Sequence, residues 1–130
     1  MGETEYQKPV DLPFVRLRFY MVADRGVPEQ FLIQLEYNRA MVDLGPDRWG
    51  PIARFDHNPA AEDGHDVASE GLHLDLLDID GDKHTVRRGF PFKPLQQCPE
   101  YCERYLVKKS SQLVREYERR AGIGAGYETL

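Results

Sequence analysis

The chain has 130 residues, 41% of them hydrophobic and 30% charged, with a formal net charge of −5. That length and balance fit one domain around one apolar core and exclude a globally disordered chain. No apolar run approaches the roughly 20 residues of a membrane-spanning helix, and the acidity works against generic nucleic-acid binding, which draws on phosphate contacts.

Residues 1–13 are polar and carry Pro9 and Pro13, so they are expected as a flexible N-terminal arm. The stretch lacks an apolar core, and a secretory signal is not expected. Phe14 to Val22 alternates with period two, Val15, Leu17, Phe19 and Met21 on one side and Arg16, Arg18 and Tyr20 on the other. That is the pattern of a half-buried strand. Phe31 to Tyr37 alternates again, with Gln34 and Glu36 outward, and the two runs read as an antiparallel hairpin with a long connecting loop.

Gly45-Pro46-Asp47 is a turn signal, and Trp49 to Asp56 reads as a third strand. Pro51 belongs near its start or at a sheet edge. Ala53 and Phe55 are taken as inward, with Arg54 and Asp56 outward, a choice that leaves Ile52 on the polar side. Residues 58–71 are polar and glycine-bearing and are expected as a loop. Leu72 to Ile79 alternates once more, with His73 and Asp75 opposite the leucines. Asp80-Gly81 is a hairpin signal, and Lys83 to Arg88 is the returning strand. From Pro99 to Arg120, a stripe of Cys102, Leu106, Leu113 and Tyr117 at three- and four-residue steps predicts one amphipathic helix, with a bend allowed at residues 108–112. This helix is locally basic. Cys98 and Cys102, four residues apart, are read as reduced helix-face residues.

The expected fold is therefore α+β. An antiparallel sheet of four to five strands packs on one long C-terminal helix in two layers. Residues 14–121 form the single domain, and residues 122–130 a flexible tail. The helix covers the apolar side of the sheet. The other side then gathers Arg16, Arg18, Tyr20, Gln34, Glu36, Arg54, Asp56, His73 and Asp75.

An open sheet face of alternating charge commonly serves only solubility. Three features point further. Arginine recognises phosphate bidentately. His73 is held between leucines on a strand. The 58–71 loop brings His57 or His65 towards the same face, and loops on rigid scaffolds often carry function. Metal-independent RNA cleavage needs a base, an acid and a cation for developing phosphorane charge. On this reading His73, with Glu36, Asp75 or His57, transfers protons, and Arg54 and Arg18 clamp phosphate. The histidine spacings match no standard zinc signature, so no metal or cofactor enters the leading expectation.

Around Trp49-Gly-Pro-Ile-Ala-Arg-Phe-Asp-His-Asn58 and Gly71-Leu-His-Leu-Asp75 the chain resembles the TumE-like toxins of toxin–antitoxin modules. The resemblance rests on Arg54, Phe55, Asp56, His73 and Asp75, a strand ending in Arg-Phe-Asp followed by His-x-Asp. It implies a toxin with an antitoxin protein as partner; RNA as the target is the expectation from the polar face, and a cytoplasmic location is the expectation from the reduced cysteines. The longer, acidic loop from Asn58 to Leu72 departs from that pattern. The alternatives are a non-catalytic protein-interaction module, a homodimer among them, and a metal-dependent hydrolase using the histidine-rich loop.

Overall fold

The computed structural model describes residues 2–11, 14–40 and 44–123. Six strands lie side by side in chain order as an antiparallel meander: β1 (Gly2–Asp11), β2 (Val15–Asp24), β3 (Val27–Asn38), β4 (Trp49–His57), β5 (Leu74–Leu77) and β6 (Lys83–Arg87). A single helical turn, α1 (Val67–Glu70), stands between β4 and β5. Two helices, α2 (Cys98–Lys108) and α3 (Ser110–Ala121), close the described chain on the apolar side of the sheet.

The core follows the alternation. Val15, Leu17 and Phe19 of β2, Phe31, Ile33 and Leu35 of β3, Ala53 and Phe55 of β4, and Leu74 and Leu76 of β5 are all buried. They pack with Cys98, Cys102, Leu106, Leu113 and Tyr117 of the helices, so the predicted stripe is the one that faces the sheet. Gly122 ends α3 in the left-handed conformation at φ +69°. Its N–H donates to Arg119 O while the Ile123 N–H donates to Glu118 O, a glycine-terminated cap that satisfies two orphan carbonyls.

Four details differ from the sequence reading. Residues 2–11, expected as an arm, are the edge strand β1, which brings the sheet to six strands. Its inward contacts are Val10 and Tyr6, the latter stacked on Phe19 with ring centroids 4.7 Å apart and hydrogen-bonded to Glu103. An edge strand with so little to bury carries almost no apolar signal. The β2–β3 connection is a two-residue turn at Arg25 and Gly26, both with positive φ, the hairpin geometry that matches strand twist. The C-terminal helix is two helices broken at Lys109 (φ −97°, ψ 6°), inside the stretch where a bend was allowed.

The fourth concerns Ile52. Glu36 pairs with Pro51 while Leu35 pairs with Ala53. One extra residue of β4 is thus absorbed in a β-bulge. Ile52 and Ala53 are both fully buried. Arg54 and Asp56 still face outward, as parity requires. The predicted tail falls almost wholly outside the described residues.

Candidate functional site

On the open side of the sheet one row runs straight across the strands: Arg18 opposite Gln34, Gln34 opposite Arg54, Arg54 opposite Asp75, and Asp75 opposite Val86. The row divides into two neighbourhoods. On the β1–β3 side the charges pair among themselves. Arg16 Nε donates to Glu36 Oε1 at 2.7 Å, Gln34 Nε2 donates to Glu36 Oε2 at 2.6 Å, and Arg18 sits 3.4 Å from Glu5. The Arg16 guanidinium also lies 4.2 Å over the Trp49 ring.

On the β4–β6 side the sheet, the 58–66 loop and α1 enclose a groove of about 420 Å³. Arg54, Asp56 and Asp75 contribute from the sheet, His65 and Glu70 from the loop and helix, His73 from the residue just ahead of β5 rather than from the strand itself, and Lys83 and Arg88 from β6 and the residue after it. Asp75 is nearly buried and anchors two cations, Arg54 Nη2 at 3.8 Å and Lys83 Nζ at 3.6 Å.

The far end of the groove holds two imidazoles in contact. The rings of His65 and His73 have centroids 3.7 Å apart at a 56° tilt. His65 Nε2 donates to Gly71 O at 2.9 Å, and its Nδ1 stands 3.2 Å from Glu70 Oε2. His73 Nε2 accepts from Arg88 at 3.1 Å, so that nitrogen carries no proton. Burial lowers the His73 pKa below its ordinary value, and the nearby charges of His65 and Arg88 push the same way against the opposing Glu70. Glu70 itself is lowered, first by the Asp66 backbone N–H that its carboxylate accepts at 2.8 Å and then by the two histidines.

Local sequence explains how the loop holds this shape. Asp66 caps α1 by accepting from the Ala68 N–H, and Gly71 leaves the helix at φ +78°. That turn-and-exit places Glu70 and His73 on the same side as His65. Gly64 admits the close return of the loop, since a Cβ there would meet Asn58 O at 1.9 Å.

Of the sequence-predicted residues, His73, Asp75 and Arg54 line the groove. Three do not. Glu36 faces Arg16 and Gln34, where its carboxylate is already occupied. Arg18 is three strands away from Asp75, beside Glu5. His57 is turned to the core side, 2% exposed, with its ring against Phe31 at 5.4 Å. Its Nδ1 accepts from the Val67 N–H at 3.1 Å. Burial lowers the His57 pKa, partly offset by Asp66. Parity carried that signal: with Ala53 and Phe55 inward, His57 is inward too.

Asp63, Glu70, Lys83 and Arg88 are charged groove residues the sequence reading missed. Glu70 belongs to a four-residue helix too short to show a period. Its one sequence signal is the cap-forming Asp66 four residues earlier. Lys83 and Arg88 sit on the strand already predicted, and only its register puts them beside Asp75 and His73.

The profile of one protein family, described as Domain of unknown function (DUF7718), matches residues 1–123, and the chain belongs to that family. No curated protein and no solved structure matches the chain.

Proposed function

We propose that the β4–β6 groove of this DUF7718 domain binds the backbone of single-stranded RNA and that the domain is a toxin-like ribonuclease. The observation that supports this reading most is the convergence of Arg54, Lys83 and Arg88 with the paired imidazoles of His65 and His73 in one groove. Arginines and a lysine along one wall suit phosphate oxygens, the arginines through a planar donor fork and the lysine as a point charge. Asp75 is a positioning residue: it holds Arg54 and Lys83 at the groove floor. His73 is the candidate for contact with the reacting phosphate, at the end where the groove is deepest in titratable groups.

A second reading, a protein-interaction module, draws on one observation. Asp75 already neutralises part of the cationic wall, and Asp56, Asp63 and Glu70 line the same groove, so a polyanion meets carboxylates as well as cations.

Fluorescence anisotropy with a labelled single-stranded RNA, titrated at several salt concentrations, separates the two. The RNA reading expects salt-dependent binding that Arg54→Ala and Lys83→Ala weaken, each lowering the salt slope by about one unit per lost phosphate contact. Affinity and slope unchanged in both variants would remove the phosphate clamp and leave the interaction module.

A further inference from the structure

We infer that His65, Glu70 and His73 form a binding site for one divalent transition-metal ion of the zinc class, with a coordination position open to the groove. One ligand atom from each residue lies within 4.8 Å of the others. The closest pair, His65 Nδ1 and Glu70 Oε2, is 3.2 Å apart. Two ligands bonded to zinc at about 2.0–2.2 Å in a tetrahedral shell stand roughly 3.3–3.5 Å apart, so this pair needs almost no rearrangement to share an ion.

The hydrogen bonding around the cluster points the same way. A carbonyl oxygen only accepts, so His65 Nε2 carries the proton in its 2.9 Å bond to Gly71 O. In the neutral ring Nδ1 then presents its lone pair to a carboxylate oxygen. Two acceptors at that distance need a cation or a second proton between them. A ligating histidine whose other nitrogen donates to a backbone carbonyl is the usual arrangement around bound metal, because the outer bond fixes tautomer and ring orientation. Glu70 is oriented by the Asp66 N–H at 2.8 Å. His65 and Glu70 therefore each have an outer partner.

Two imidazoles and one carboxylate are the donor set of catalytic rather than structural zinc, which keeps its fourth position for water or substrate. The linear pattern is His65, Glu70 five residues on and His73 three further. It matches no common zinc signature, and the single turn of α1 with the Gly71 exit is what brings the three together. Arg88 is the opposing element. It donates to His73 Nε2 at 3.1 Å, and it must swing away when a cation arrives, which its exposed position allows.

The metal site rests on its own geometry, and only its use in catalysis rests on the RNA reading above. The test is titration of tag-free, chelator-stripped protein with Co²⁺, read by its visible absorption, and with Zn²⁺ against a chromophoric chelator. One ion per chain is expected, with the intense visible bands of a low-coordinate Co²⁺ site. His65→Ala and Glu70→Gln should each weaken binding about tenfold or more, and Arg88→Ala should tighten it by removing the competing cation. Glu70 is exposed, so Glu70→Gln keeps the test valid should a histidine variant misfold. No ion bound, or one ion bound equally by wild type, His65→Ala and Glu70→Gln, would overturn the site. Metal bound without RNA binding would leave the site standing and remove the ribonuclease reading; RNA cleaved in chelator by protein that takes up no metal would do the reverse.

Discussion

His65 and His73 are eight residues apart in the chain, yet their rings meet with centroids 3.7 Å apart. The loop spends those residues on an N-capped turn and a glycine exit, and the outcome is a second histidine delivered beside the one fixed on the sheet. The rest of the groove can be read outward from this pair.

Glu36 is the plainest case of a polar-face residue whose work is structural. Its carboxylate accepts from Arg16 and Gln34 and is almost fully buried. Glu36→Ala is expected to cost about 2–4 kcal/mol, because removing one partner strands the other, while Arg16 keeps some contact with water. Denaturant midpoints measure this. RNA binding by the folded variant should equal that of wild type.

Ile52 fills the core from a bulge. It is fully buried although simple alternation points it to the polar side. Ile52→Ala should destabilise by about 2–5 kcal/mol through lost burial and the cavity left behind, whereas a solvent-facing Ile52 would cost well under half of that. Chemical denaturation distinguishes the two.

Gly64 should be sensitive for a different reason. A Cβ would meet Asn58 O at 1.9 Å and Ala61 O at 2.9 Å. Gly64→Ala must shift the backbone next to His65, and Co²⁺ affinity is expected to fall about tenfold or more. The apolar core packs between the other face of the sheet and the helices, and most of it should survive. Unchanged Co²⁺ affinity would separate the loop's path from the cluster.

Stability should also fall on acidification. Burial holds the His57 pKa below its unfolded value near 6.5, with Asp66 and Asp56 opposing and His65 assisting. The unfolded chain therefore binds the proton more readily than the folded one. The contribution is fully present above about pH 6.5 and is lost as pH falls through the lower folded value. In chelator, thermal unfolding of wild type should drop across that window, and His57→Gln should flatten part of the drop; His73, lowered for a similar reason, accounts for another part. A variant as acid-sensitive as wild type would show that His57 does not cause this loss of stability.

The polar face was legible because strands with one buried side must alternate. Arg54, His73 and Asp75 were found from period two alone, and the helix stripe from three- and four-residue steps. What stayed hidden needed information that a period does not contain. β1 has little to bury beyond Tyr6 and Val10, so it shows no period-two apolar pattern. The bulge at Ile52 breaks parity by one residue, which only cross-strand pairing reveals. Lys83 and Arg88 depend on the register of β6, and Glu70 on one turn of helix with no repeat. Glu36 and Arg18 were placed on the correct face, but strand order and register set their neighbours: Glu36 lies opposite Arg16, and Arg18 is three strands from Asp75.

The groove as active site is tested most directly by a gel of end-labelled single-stranded RNA incubated with tag-free protein, once in chelator and once with added Zn²⁺ or Mn²⁺. Wild type, Arg54→Ala, His73→Ala and Arg18→Ala run side by side. The expected result is cleavage by wild type and Arg18→Ala, lost in Arg54→Ala and His73→Ala, because only the latter two residues line the groove. Cleavage that survives both groove substitutions, or no cleavage by wild type under either condition, would contradict the assignment.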